Sequence, residues 1–159
     1  MQLTLHADYS LRVLLYLAEH SDRAISTQEI STAYGISRHH LVRVVQTLHG
    51  HGFVNVATGR HGGVTLSRPL TDINLGQVVR ACEPSFRIVE CFDPVTNTCP
   101  IASACQLQTV IGKALNAFFE VLARYTLADL VQLQAGQRLS DFLPLPSILG
   151  THELTPRTS

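Results

Sequence analysis

The sequence predicts a mainly α fold with a small β-wing: a winged helix-turn-helix followed by a long dimerisation helix. Three observations predict it. Two helix-forming segments, each with a capping serine at its start, are joined by Tyr34-Gly35-Ile36-Ser37. A Gly-rich turn, Thr58 to Gly63, separates two short runs of strand-forming residues. Further along, Leu107, Ile111, Ala114, Phe118, Val121 and Tyr125 recur at steps of 4, 3, 4, 3 and 4 residues, the spacing of helix-on-helix packing.

The elements follow in order. A first helix is expected from about Asp8 to His20, with Leu11, Leu14, Leu15 and Ala18 as its buried stripe. Asp8 sits at its start, where the helix dipole favours a carboxylate. Ser26 and Glu29 have capping-box spacing and open a second helix that ends at Tyr34. Gly35 supplies the positive φ of the turn, and Ser37 caps a third helix through about Leu48. Ile30, Tyr34, Ile36, Leu41, Val44 and Val45 are the positions that lock these helices together. The third helix exposes Arg38, His39, His40 and Arg43, and its N-terminal end is the part that reaches base edges in such folds. With Gln28 and Ser37 these are the candidate DNA contacts.

Gly52 to Val56 and Val64 to Leu66 read as two strands around the turn Thr58-Gly59-Arg60-His61-Gly62-Gly63, a wing. Arg60 is placed to enter a minor groove, and His61 beside it completes the wing contacts. Asn74 and Gln77 open a short helix through about Ala81. A long helix is then expected from about Gln106 to Tyr125. Its apolar seam exceeds what a small winged helix needs for its own core and suits a dimer, the alternative being packing against the first helix.

The chain has 159 residues, 45% of them hydrophobic and 15% charged, enough for a core and too apolar for disorder. It divides into residues 1–68, a winged helix-turn-helix DNA-binding region, residues 69–134, a cysteine loop with the dimerisation helix, and residues 135–159, a flexible tail carrying Pro144, Pro146 and Pro156. No apolar run approaches ~18 residues, and no basic segment precedes a small-residue cleavage site. No membrane partner and a cytoplasmic location are therefore expected. The formal net charge is zero, yet no Asp or Glu lies between Ile30 and Thr71, a stretch holding Arg38, Arg43, Arg60, Arg68 and five histidines. A neutral chain has gathered its basic face where the helix-turn-helix and wing lie. The plainer meaning of such a face is a solvated basic surface.

Four cysteines without an export signal point to reduced thiols. Cys91, Cys99 and Cys105 have the spacing C-x7-C-x5-C. Structural zinc sites bring ligands in closer pairs, whereas well-spaced thiolates in an irregular loop suit an iron–sulfur cluster. Buried thiols, a redox disulfide and a zinc-stabilised module remain open at this point. Cys82, on the preceding short helix, reads as a small buried hydrophobe. There is no C-x-x-C, phosphate loop, G-x-S-x-G or H-E-x-x-H, so an enzyme is not expected. His39 and His40 point about 100° apart on a helix and make a poor chelating pair.

These motifs together resemble the winged-helix iron–sulfur transcriptional regulators, the family of NsrR and IscR. The resemblance rests on Met1 to Thr4, Asp8 to Arg12, Gly59 to Gly63, Ile88 to Phe92, and Cys99-Pro100-Ile101 with Cys105, and spans about residues 1–131. The IscR branch has a histidine three residues after its last cysteine, where this chain has Gln108, so the likeness is stronger to the nitric-oxide-sensing NsrR branch. That resemblance implies an iron–sulfur cluster (4Fe–4S, with 2Fe–2S as the alternative) held by Cys91, Cys99 and Cys105 of one subunit and Asp8 of the other. It implies that Arg12 hydrogen-bonds the Asp8 carboxylate or the cluster loop. It further implies a homodimeric repressor on double-stranded operator DNA, released by nitric oxide to derepress detoxification genes. An iron- or cluster-status regulator of the same family is the alternative.

Overall fold

The computed structural model describes residues 2–59 and 62–133. Its elements run α1 (Leu5–Glu19), α2 (Thr27–Tyr34), α3 (Arg38–Gly50), β1 (Val54–Ala57), β2 (Gly63–Leu66), α4 (Leu75–Cys82), α5 (Gln106–Leu122) and α6 (Leu127–Leu133). The mainly α architecture with a small antiparallel wing is the one expected. No helix among the described residues is long and apolar enough to cross a membrane.

Helix α1 begins a turn earlier than its sequence suggests. The Thr4 hydroxyl accepts the Ala7 N–H at 3.2 Å and caps the helix. The Thr4 N–H and hydroxyl both donate to the Glu83 carboxylate, at 2.9 and 3.0 Å. That partner lies 79 residues away and left no local signal. Asp8 still falls in the first turn, as dipole favourability requires. The buried arc is wider than the expected stripe. It comprises Ala7, Ser10, Val13, Leu14, Tyr16, Leu17 and Ala18, while Leu11 and Leu15 sit half-buried at its edge. The reason is position: α1 packs against α3, α4, α6 and β2 at once.

The helix-turn-helix forms as read. Ser26 accepts the Glu29 N–H at 3.1 Å, Gly35 has φ 64°, and Ser37 accepts the His40 N–H at 3.4 Å. The Ser31 hydroxyl braces the turn by donating to the Ile36 carbonyl at 2.6 Å. Ile30, Ile36, Leu41, Val44 and Val45 are buried, and Tyr34 is half-buried, edge-on to Tyr16. The other half of the capping box is corrected. The Glu29 carboxylate turns to the Tyr16 hydroxyl at 3.0 Å and to both terminal nitrogens of Arg23 at 2.9 and 2.5 Å.

In the wing, β1 and β2 pair Val54 with Leu66, Asn55 with Thr65, Val56 with Val64 and Ala57 with Gly63. Ile25 covers the outer edge of β2 through two backbone bonds with Val64, at 3.0 and 2.8 Å. The turn closes through the Gly62 N–H on the Gly59 carbonyl at 3.0 Å. A Cβ on Gly62 would run into the Ala57 carbonyl, so glycine is required there by close approach.

Helix α4 starts at Asn74, whose side-chain oxygen accepts the Gln77 N–H at 3.2 Å. The same side chain donates to the Ala123 and Tyr125 carbonyls, at 2.8 and 3.3 Å. Those contacts help explain why α5 stops at Leu122, short of the expected Tyr125. Thr126 then opens α6 by exchanging bonds with Asp129: its N–H donates to the carboxylate at 2.6 Å and its hydroxyl accepts the Asp129 N–H at 3.4 Å. The Thr126-x-x-Asp129 spacing was a readable capping signal. Leu127 is buried and joins Ile73, Val78 and Cys82 in one apolar cluster with α1 and α3. The expected tail, residues 135–159, lies outside the described residues.

Candidate nucleic-acid interface and cysteine loop

The capping of α3 by Ser37 places Arg38, His39 and His40 in its exposed first turn, with Arg43 exposed further along. Gln28 and Ser37 are exposed beside them. No acidic side chain lies on α3. The His39 and His40 ring centres are 6.3 Å apart and tilted by 53°, in keeping with separate contacts rather than chelation. Arg60 and His61, the expected wing contacts, lie outside the described residues.

The cysteines occupy the irregular segment between α4 and α5. Cys91 sits in a 3-10 turn, Glu90–Phe92, and Cys105 is the residue from which α5 starts. A second 3-10 turn, Ala102–Ala104, separates Cys99 from Cys105. All three thiols are free and half-buried, whereas Cys82 is fully buried. Burial pushes the Cys82 thiol above its ordinary value, partly offset by the Ser10 hydroxyl, so it is a poor thiolate.

Short polar contacts pre-shape the segment. The Glu90 carboxylate accepts both the Thr98 N–H and the Thr98 hydroxyl at 2.6 Å, tying the neighbours of Cys91 and Cys99. Asp93 is buried, accepts the Val95 N–H at 3.1 Å and the Thr96 hydroxyl at 2.6 Å, and pairs with Arg87 at 2.5 Å. The Thr98 bonds hold Glu90, and the Thr96 bond foremost holds Asp93, below the usual carboxylate range. Gln108 donates to the Cys91 carbonyl at 2.9 Å and anchors the loop on the first turn of α5. Sequence reasoning missed these braces, although Asp93-Pro94-Val95-Thr96 carries a turn signature that pointed to one of them.

Asp8 does not join the cysteines of its own chain. It pairs with Arg12 at 2.8 Å, the two side chains being 39% and 45% exposed, so both are open to another molecule. Arg12 also lies over the Tyr9 ring at 5.8 Å. Among the described residues, no three His, Cys, Asp or Glu side chains converge as ligands of a metal ion. The donor chemistry, three free soft thiols on one braced loop, fits thiolate ligation of a cluster; the geometry does not fit one ion held by this chain alone.

The apolar seam expected on α5 is only partly covered: Ile111 and Phe118 are half-buried, the rest exposed. Leu107 and Val110 are 62% and 60% exposed, Val121 is exposed too, as is Tyr125 just beyond the helix, and Phe119 is the one residue of α5 that is buried. Packing of this seam on α1 is not what the fold uses.

A model of the family Rrf2, described as iron-dependent transcriptional regulator, matches residues 3–133. The HTH-type transcriptional regulator NsrR of Halalkalibacterium halodurans is 43% identical over 144 residues, covering 87% of this chain and 99% of that one. The protein of the same name from Bacillus subtilis is 45% identical over 133 residues, covering 83% and 91%. Among solved structures, a transcriptional regulator from Listeria innocua superposes with a TM-score of 0.70 at 28% identity, covering 83% of this chain and 87% of that one.

Proposed function

We propose that this chain, which belongs to the Rrf2 family of transcriptional regulators, is a homodimeric repressor that leaves its operator DNA in response to nitric oxide. Like its family it is a regulator and not an enzyme. The observation that carries the reading is the braced loop of three free thiols, Cys91, Cys99 and Cys105, seated on α5. It belongs to a chain with no acidic residue from Ile30 to Thr71, a stretch that includes all of α3 and the wing.

In this reading Cys91, Cys99 and Cys105 hold an iron–sulfur cluster, 4Fe–4S or alternatively 2Fe–2S, and Asp8 reaches it from the second copy. When bound, the cluster supplies iron to which nitric oxide can attach. The chain's own residues do the rest. The Glu90, Asp93 and Gln108 contacts keep the thiols presented at the start of α5. The exposed α5 seam joins two copies. Asp8, drawn from Arg12 across the dimer, fixes α1 and with it α3 in each head. Two α3 helices are thereby held at the roughly 34–36 Å that successive major grooves require. Arg38, His39, His40 and Arg43, with Gln28 and Ser37 and the wing residues Arg60 and His61, then meet the DNA. Once the thiols and Asp8 are no longer tied together, Asp8 returns to Arg12 and the heads lose register. A coupling of about 1–3 kcal/mol is sufficient for useful derepression.

The test is iron and acid-labile sulfide analysis of anaerobically purified protein, with DNA binding before and after nitric oxide. Cys91→Ala, Cys99→Ala and Cys105→Ala are expected to lose both the cluster absorbance and tight binding; Cys82→Ala is expected to keep both. Sulfide-free protein that binds DNA undiminished overturns the reading. The family description as iron-dependent supports a second reading, a sensor of iron or cluster status. Release by a chelator but not by anaerobic nitric oxide selects it.

A further inference from the structure

Helix α1 and the recognition helix α3 share apolar contacts along the body of α1, where Val13, Leu14 and Leu17 meet the core of the fold. Near its N-terminal turn the packing opens. One groove there, of about 530 Å³, is lined by His6, Arg43, Gln46 and Thr47 among others. A second, of about 230 Å³, is lined by Leu5, His6, Tyr9, His40 and Arg43 among others. His6 and Arg43 border both. His6 bonds through Nε2 to Oγ1 of Thr47, a wall of the larger groove, at 3.1 Å.

The direction of that contact follows from its neighbours. The Thr47 hydroxyl donates its only proton to the Arg43 carbonyl at 3.1 Å, so it receives from His6, whose Nε2 carries the hydrogen. His6 is itself held at its carbonyl by the Ser10 hydroxyl at 2.7 Å. A continuous line thus runs from the first turn of α1, through His6 and Thr47, to the backbone of Arg43. Asp8 lies on that same first turn, its N–H bonded to the Thr4 carbonyl at 3.0 Å.

We infer that the His6–Thr47 hydrogen bond transmits the position of the Asp8 turn to the recognition helix, making His6 and Thr47 positioning residues for the DNA response. This inference rests on the reading above. Neither residue is among the proposed DNA contacts or lies in the cysteine loop. The grooves beside His6 leave the first turn of α1 room to shift, and the polar link converts such a shift into displacement of Arg43.

The test compares affinity for a duplex selected by the wild-type protein from random-sequence DNA, before and after anaerobic nitric oxide, as a ratio. Thr47→Val keeps shape and volume and removes the acceptor. It is expected to lower the ratio about fivefold, the worth of one ordinary hydrogen bond, with iron content unchanged and the melting temperature lower by only a few degrees. His6→Leu is expected to do the same, and His6→Gln, whose amide can donate from a similar reach, to restore most of the response. A wild-type ratio well above one with unchanged ratios in Thr47→Val and His6→Leu overturns the inference alone. A wild-type ratio of one overturns the repressor reading and this inference with it.

Discussion

Glu29 shows how a residue can be read correctly in one role and misread in another. Its backbone N–H completes the Ser26 cap, which sequence spacing predicted. Its carboxylate serves a tertiary triad instead. Chiefly the hydrogen bond from Arg23, and with it that from Tyr16, holds Glu29 below its ordinary value. Burial, aided by Glu29, pushes Tyr16 up to about 12. A carboxyl depressed in the folded state stabilises the fold above its unfolded pKa of about 4.3, and that stabilisation is lost as pH falls through the lower folded value. Glu29→Gln is therefore expected to cost about 1 kcal/mol at neutral pH, because Arg23 is half-exposed and the pair partly screened. The variant should also show a flatter decline of melting temperature below about pH 4.3. Thermal melts of both proteins from pH 3 to 7 check the slope. Gln108 makes the converse point: it looked like a missing ligand and is a brace on Cys91.

At the scale of elements, the helix-turn-helix was legible because its signals are satisfied within a few residues. Ser26, Ser37 and Asn74 each cap the helix that follows them, and Gly35 adopts the left-handed turn between α2 and α3. A Cβ on Gly35 meets nothing within 4 Å, so its conformation alone penalises substitution. Gly35→Ala is expected to cost about 1–2 kcal/mol, read as a lower denaturant midpoint at constant slope, and to weaken DNA binding through the altered α2–α3 joint. The limits of α1 and α5 were misjudged for one reason. Glu83 holds the cap of α1 and Asn74 takes carbonyls beyond α5 from far along the chain.

For the whole molecule, α4 and α6 return to α1, so residues after the wing share an apolar cluster with the helix-turn-helix. Helix α5 is left with Leu107, Val110 and Val121 exposed, which supports a second copy as their cover. Leu107→Glu combined with Val110→Glu is expected to raise the dimer dissociation constant roughly tenfold or more. Sedimentation velocity measures that shift, and unchanged far-UV circular dichroism shows that the monomer still folds. DNA affinity should fall in parallel, because two heads on one duplex bind far more tightly than one.

By itself the sequence determined the helix starts at Ser26, Ser37 and Asn74, the hairpin, the acid-free stretch from Ile30 to Thr71 and the thiol spacing. Each is written in neighbouring residues, whose hydrogen bonds, backbone angles or charges need no distant partner. Tertiary structure alone decided where α1 begins, what Glu29 holds, where α5 ends and which apolar face stays uncovered. Those outcomes depend on groups brought together from dozens of residues apart, and a local pattern carries no record of which distant atom will arrive.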